Sequence, residues 1–286
     1  MLSYPNAKIN IGLYITEKRE DGFHNLETIF YPTTFSDILE IHKSKENNGN
    51  YKFVNYGASI NCSDENNLIV KAYKLLYDKY NLPAINIYLQ KIIPMGAGLG
   101  GGSADAAYMI NSLNSYFKLN LPKELLKKYA ESLGSDCPFF IENTPCFASG
   151  KGEILESINL SLQDYKLIIV KPTCKVSTAN AYANIKPKKA KFDLRKLAKL
   201  PIEKWKNNIS NDFEDYIFKI YPEISNIKQG LYKAGAIYAS MSGSGSAVYG
   251  IFTKYCKNIS LAGNINLEDQ KESIPNEIAS KIIWTQ

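Results

Sequence analysis

The sequence predicts an α+β fold, and three observations predict it. Ile85, Ile87 and Leu89 alternate with Asn86, Tyr88 and Gln90, the pattern of a half-buried strand. Ala106, Ala107, Met109, Ile110 and Leu113 then recur at about the helical period of 3.6. Between them stands Pro94-Met95-Gly96-Ala97-Gly98-Leu99-Gly100-Gly101-Gly102-Ser103, a glycine-rich link from strand to helix.

The 286 residues are enough for one large or two modest domains with ample core. Apolar residues make up 45% and charged residues 22%, ordinary values for a globular enzyme. The net charge of +6 suits a small anionic substrate, and no concentrated basic face argues for nucleic acid. Lys188, Lys189 and Lys191 cluster near Pro187 and read as a solvated loop. Cys62, Cys137, Cys146, Cys174 and Cys256 are scattered without metal-ligand spacing, which predicts reduced thiols. Met1 to Ile15 carries Lys8 and Asn10 and has no signal-peptide core. No apolar run approaches the roughly 18 residues of a membrane span. The expectation is a soluble cytoplasmic protein, monomer or homodimer, without membrane or nucleic-acid partners.

Taken in order, Ala7 to Ile15 alternates as a first strand, with Ile9, Ile11 and Leu13 on one face. Lys8, Asn10 and Gly12 share the other, which spacing alone would turn to solvent. A turn at 18–22 precedes Phe23-His24 and a second strand through Tyr31. Asn66-Asn67-Leu68 opens a helix through Tyr80, with Asn67 suited to be its cap. The strand of Ile85 and the helix of Ala106 follow, and Pro122 starts another helix that stops near Gly134. Asp136, after a helix and before Pro138, reads as a turn residue. Lys166 to Val170 is a strand, and Thr178 and Tyr182 share one face of a helix start. Residues 185–206 are basic and irregular. Asn211-Asp212-Phe213-Glu214 leads into a helix ending near Gly230, and the small-residue stretch 239–250 allows close backbone approach.

The glycine link carries the chemistry. Glycines permit positive φ and let the backbone approach a ligand. The free N–H groups of the following helix's first turn, with its dipole, favour an anion, and a triphosphate fits best. Gly96, Gly98 and Gly101 satisfy the dinucleotide pattern, but the acid it needs about 20 residues on is absent, and Pro122 opens a helix there. A Walker A loop needs Lys directly before the final Ser or Thr, where Gly102 stands.

Pro94 through Ala107 resembles the second motif of the GHMP kinases, the superfamily of galactokinase, homoserine kinase, mevalonate kinase and phosphomevalonate kinase. Ala7-Lys8-Ile9-Asn10 with Asp21-Gly22-Phe23-His24-Asn25-Leu26-Glu27-Thr28 resembles the N-terminal signature of its diphosphocytidyl-methylerythritol kinases, which commonly carry Tyr where Phe23 stands. Leu133-Gly134-Ser135-Asp136-Cys137-Pro138 is similar to the segment bearing the family's catalytic aspartate, and 239–250 to the third motif. The resemblance implies two domains. An N-terminal half over 1–154, like ribosomal protein S5 domain 2, binds ATP, and a ferredoxin-like half over 155–286 binds the acceptor. The site is the cleft between them, and a final strand near 280–286 is free to rejoin the first half.

The implied activity is ATP-dependent phosphorylation of the 2-hydroxyl of 4-diphosphocytidyl-2-C-methyl-D-erythritol in non-mevalonate isoprenoid precursor biosynthesis. The alternatives are a homoserine- or mevalonate-type kinase, or a non-catalytic nucleotide-binding member. By resemblance Asp136 is the base and Lys8 the cation beside it. Asn67, Lys91, Pro94, Gly96, Gly98, Leu99, Gly100, Gly101, Gly102 and Ser103 would bind ATP, with the Ser103 hydroxyl offered to magnesium. Asn10, Phe23, His24, Thr178, Tyr182, Gly243, Ser244 and Gly245 would bind the cytidine-diphosphate-linked polyol, with Phe23 and Tyr182 on opposite sides of the base. ATP with magnesium is the expected co-substrate, and no prosthetic group is expected.

Overall fold

The computed structural model describes residues 1–45, 51–60 and 62–256 in full, and the backbone of 260–261, 265–266 and 280–285. The first half runs β1 (Leu2–Ser3), β2 (Asn6–Lys18), β3 (His24–Ser36), β4 (Ile38–Lys43), β5 (Tyr51–Gly57), α1 (Leu68–Tyr80), β6 (Ile85–Lys91) and α2 (Gly101–Tyr116). It continues with α3 (Lys123–Glu131), the short α4 (Phe139–Glu142), β7 (Cys146–Ser149) and β8 (Ile154–Ser157). The second half holds β9 (Tyr165–Pro172), α5 (Thr178–Ala183), α6 (Trp205–Asn208), α7 (Glu214–Ile220), α8 (Pro222–Lys233), β10 (Tyr238–Met241) and β11 (Val248–Thr253). β12 (Ser260–Leu261), β13 (Ile265–Asn266) and β14 (Ser280–Thr285) complete the described strands.

Three four-stranded sheets result, in the orders β1-β4-β6-β5, β2-β3-β7-β8 and β10-β11-β9-β14. Only the β5–β6 pair among them is parallel. One boundary falls a few residues from the sequence reading. β8 pairs with β7, so the first half's sheet runs past 154 to Ser157. The final strand stays with the second half, because β14 pairs antiparallel with the edge of β9 that β11 leaves open. The helix expected from 211 to 230 is also two helices. Pro222 lacks an N–H, so it breaks the first run and sits comfortably in the first turn of α8, which continues to Lys233.

One core lies between α1, α2 and the sheet of β4 and β6, where Leu39, Ile41, Ile69, Leu76, Ile87 and Ile110 meet. A second joins Ile9, Ile11, Tyr14 and Ile29 of β2 and β3 to Leu167, Ile169, Tyr249 and Ile251 of the second half. A third joins Leu13 and Ile15 to Val170, Phe213 and Leu231. β2 therefore lies at the seam, and every residue from Asn6 to Ile15 is buried. The face of Lys8 and Asn10 is covered too, which alternation within one strand cannot reveal. No helix among the described residues is long and apolar enough to cross a membrane.

β6 ends in a buried ionic cluster. The Lys91 ammonium pairs with Asp37 and, at 2.7 Å, with Asp105 of α2. Asp37 Oδ1 accepts the backbone N–H groups of Ile92 at 2.5 Å and Ile93 at 2.8 Å, which sets the direction in which the chain enters the glycine link. Burial pushes the Asp105 carboxyl up to about 8; Lys91 opposes the shift and Asp37 reinforces it. The folded chain thus holds this proton more tightly than the unfolded one. The stabilisation it brings is complete at acid pH and is lost as pH rises through about 8. Asp105→Asn, which keeps the shape and cannot ionise, is expected to flatten that decline in urea midpoints measured across pH. Superimposable wild-type and variant profiles would contradict the assignment.

Candidate active site

Lys8 Nζ, at the seam, donates to Asn10 Oδ1 at 2.6 Å, stands 3.4 Å from Asp136 Oδ2 and lies 4.8 Å from the centre of the Phe30 ring. Its side chain is 5% exposed and that of Asp136 is 32% exposed, so the carboxylate is reachable from the cleft while the ammonium is held behind it. Asn10 is fixed in turn. Its Nδ2 donates to Thr28 Oγ1 at 3.1 Å, and its carbonyl accepts from the Tyr249 hydroxyl at 2.9 Å. Asp136 reaches this place through the turn after α3, beside Gly152, where a Cβ would sit 3.6 Å from Asp136 Oδ1. Cys137, next in the chain, is no nucleophile: burial pushes its thiol up to about 12.

The glycine link wraps over Lys8. The Lys8 N–H donates to the Leu99 carbonyl at 2.9 Å. Gly96, Gly98 and Gly100 all have positive φ, at 66°, 78° and 71°. A Cβ on Gly100 would sit 3.1 Å from the Lys8 side chain, and one on Gly98 would collide with the Ser242 carbonyl. α2 then starts without a side-chain cap, leaving the N–H groups of its first turn for an anion. The small-residue loop between β10 and β11 closes on this link from the second half. Ser242 Oγ accepts the Asn10 N–H at 3.2 Å and donates to the Gly98 carbonyl at 2.8 Å. The Ala247 N–H donates to the Ala97 carbonyl at 3.1 Å.

On the acceptor side, the His24 and Tyr182 rings lie 5.2 Å apart, and Tyr182 meets Phe213 edge-on at 4.9 Å. Burial, then the charge of Lys18, lowers the His24 pKa, so its imidazole is neutral near pH 7, with one donor and one acceptor. Burial and the negative charge of Asp136 raise the Tyr182 phenol well above its ordinary value. Thr178 Oγ1 and Ser244 Oγ share a hydrogen bond of 2.9 Å. Phe23 is 59% exposed beneath the Lys151 ammonium, 5.1 Å from its ring centre.

This geometry has relatives. The model for the GHMP kinases N terminal domain matches residues 67–144, and that for GHMP kinases C terminal matches 194–274. A 4-diphosphocytidyl-2-C-methyl-D-erythritol kinase of Bacteroides thetaiotaomicron is 52% identical over 252 residues, 88% of this chain and 92% of the relative. The chain belongs to this family of GHMP kinases. A solved structure of a 4-(cytidine 5'-diphospho)-2C-methyl-D-erythritol kinase matches with a TM-score of 0.76 at 29% identity, over 88% of this chain and 90% of that one. The Methanococcus jannaschii mevalonate kinase, at 16% identity and a TM-score of 0.63 over 88% and 90% of the two chains, shares the fold.

Of the residues picked from sequence, Lys8, Asn10, Asp136, Gly98, Gly100 and Gly243 converge on one place, while His24 of β3 meets Tyr182 of the second half, where Thr178 and Ser244 bond to each other. One is corrected. Lys91 does not face the cleft, because its ammonium is wholly enclosed by Asp37 and Asp105. Leu99 turns its side chain into the second core, so its part in the link is through backbone. Asn67 caps α1, its Oδ1 accepting the Ile69 N–H at 2.9 Å. Pro94, Gly96, Gly101, Gly102 and Ser103 line the link and the start of α2, while Gly245 belongs to the opposing loop. Sequence reasoning missed Thr28, Ser242 and Asn211, which touch the site only through backbone or through Asn10. One Ser among the four of a small-residue stretch gives no signal of that kind.

Among the described residues, no three His, Cys, Asp or Glu side chains are grouped as metal ligands. The hydroxyl of Ser103, in the first turn of α2, is a single oxygen donor. Such a donor fits a magnesium ion that takes its other ligands from phosphates and water.

The two loops give a paired test. Gly98→Ala adds left-handed strain and a collision with Ser242, whereas Gly96→Ala, with nothing within 4 Å of its new Cβ, adds strain alone. The strain costs about 1–2 kcal/mol. Gly96→Ala is expected to lower stability by that amount with KM for ATP little changed. Gly98→Ala should lower stability further and raise KM for ATP. Equal effects would mean that the loops do not depend on each other.

Proposed function

We infer that this chain is an ATP-dependent kinase that transfers a phosphoryl group to the 2-hydroxyl of 4-diphosphocytidyl-2-C-methyl-D-erythritol. The observation that carries the reading is the Lys8–Asp136 pair, 3.4 Å apart, in a chain 52% identical to a kinase named for that acceptor. Phosphoryl transfer to an alcohol needs the two oxygens aligned, the charge spread over the phosphoryl group stabilised, and the hydroxyl proton removed.

Asp136 is the base. Its carboxylate accepts the proton as the hydroxyl oxygen attacks the γ-phosphorus, and the bond to ADP's β-phosphate oxygen breaks. Lys8 stays protonated and stabilises negative charge on the attacking oxygen and the transferring group. Its three donors meet Asn10, Asp136 and the reacting oxygens. The phosphates lie against the free N–H groups of Gly101, Gly102 and Ser103. Ser103 would be the chain's own ligand to magnesium, which neutralises phosphate charge when bound with ATP. His24, neutral and fixed against Tyr182, reads a pyrimidine edge, and Tyr182 offers its face to the base.

The test is turnover with ATP and a panel of acceptors, run on wild type and Asp136→Asn. The cytidine diphosphate-linked polyol is expected to be phosphorylated, with free methylerythritol phosphate far poorer because it lacks the base. Homoserine or mevalonate turned over equally well would reject the acceptor while leaving the kinase reading intact. Asp136→Asn keeps shape but cannot take the proton, so kcat should fall by about 10²–10⁴-fold. A kcat within about threefold of wild type would remove the base assignment.

A further inference from the structure

The segment Asn211-Asp212-Phe213-Glu214 lies outside the site and touches the β10–β11 loop, β2 and Tyr182. Asn211 is 2% exposed and uses its whole amide. Nδ2 donates to the carbonyls of Met241 at 2.9 Å and Gly243 at 2.8 Å, and Oδ1 accepts the Phe213 N–H at 3.0 Å. The two carbonyls stand on either side of Ser242. Glu214 holds the same strand end from the other direction, accepting the Met241 N–H at 2.9 Å and the Ser240 hydroxyl at 3.1 Å, with Lys228 closing its second oxygen at 2.5 Å. Phe213 presents the ring that Tyr182 meets edge-on.

Asp212 attaches the segment to β2. Its backbone N–H donates to the Leu13 carbonyl at 2.9 Å, its Oδ2 accepts the Ile15 N–H at 3.0 Å, and Lys188 pairs with its Oδ1 at 3.1 Å. The strand bulges here, with Gly12 at φ 67° and a register shift between Ile11 and Leu13, which turns the Leu13 backbone toward this segment before pairing with β3 resumes. The same strand, four residues earlier, carries Lys8.

We propose that Asn211 is a positioning residue for phosphoryl transfer, acting through Ser242 and Asn10 on the Lys8 ammonium. The chain of contacts is continuous. Asn211 fixes the carbonyls flanking Ser242, Ser242 Oγ accepts the Asn10 N–H and donates to the Gly98 carbonyl, and Asn10 Oδ1 receives the Lys8 ammonium at 2.6 Å. A buried amide with both N–H groups committed to adjacent carbonyls resists any shift of that loop, since each bond lost leaves an acceptor without water. The proposal rests on the kinase reading given above, because a displaced Lys8 matters only if Lys8 acts on the reacting oxygens.

The experiment compares Asn211→Ala and Asn211→Ser with Ile224→Ala, a truncation on α8 in the third core whose side chain makes none of these hydrogen bonds. Steady-state kinetics with ATP and the cytidine diphosphate-linked polyol are run at a temperature where circular dichroism finds all of them folded. Asn211→Ala is expected to lower kcat by about 10–100-fold, the scale of a slightly misplaced reacting group, with KM for ATP little changed. Asn211→Ser, which keeps one donor, should fall between it and wild type, and Ile224→Ala should keep the wild-type kcat despite its lower melting temperature. Ser242→Ala combined with Asn211→Ala should cost little more than the worse single change, as residues on one path do. If wild type does not phosphorylate this acceptor, the functional reading falls and the proposal with it. If wild type does, and Asn211→Ala keeps the kcat of Ile224→Ala or adds independently to Ser242→Ala, the positioning role alone is overturned.

Discussion

An ammonium withdrawn from water into the seam between two sheets is tolerable only where oxygens or a π face replace the solvent it lost. Lys8 meets that demand with Asn10, Asp136 and the Phe30 ring, and much of the surrounding structure follows from supplying those partners. Asn10 needs Thr28 from β3 and Tyr249 from β11 to hold its own amide and carbonyl. Asp136 needs the tight path between α3 and α4 and a glycine at 152 to come so close. Thr28, the α3–α4 path and Gly152 come from the first half and Tyr249 from the second, so the charge at the centre also ties the halves together.

The glycines serve the same constraint from the other side. A loop carrying side chains at positions 98 and 100 would be held away from Ser242 and from Lys8, and a phosphate lying on it would be beyond the ammonium's reach. On the proposed reading, backbone approach substitutes for side-chain ligands, with N–H groups offered to phosphate and few side chains left for the chemistry. The buried Asp37–Lys91–Asp105 cluster sets the loop's entry in a region without solvent, and that burial raises the pKa of the Asp105 carboxyl.

Much of this was legible from residue patterns, and what was not has physical reasons. The strand, loop and helix from Ile85 to Leu113 announce themselves by period, and glycine density marks where backbone must come close. Lys91 was misread because it adjoins the loop, although parity already told against it. It continues the alternation of Ile85, Ile87 and Leu89, so it turns inward with them. Lys8 shows the opposite limit. Parity put it on a polar face, and only the glycine link, Phe140 and the turn bearing Asp136, brought there from elsewhere in the chain, make that face interior. Asn211 was invisible because its bonds go to backbone carbonyls thirty and more residues away, which no local pattern encodes. The exposed Phe23 and the tight Tyr182–His24 contact also divide the two aromatics that the resemblance had treated alike.

The most direct measurement is a crystal structure of the chain with the cytidine diphosphate-linked polyol and a non-hydrolysable ATP analogue bound together. The account predicts the polyol's 2-hydroxyl oxygen within hydrogen-bond reach of Asp136, about 2.6–3.2 Å, with the Lys8 ammonium between it and the γ-phosphate. A complex in which both ligands are seated while that hydroxyl points away from Asp136, or in which Lys8 contacts neither reacting oxygen, would contradict it.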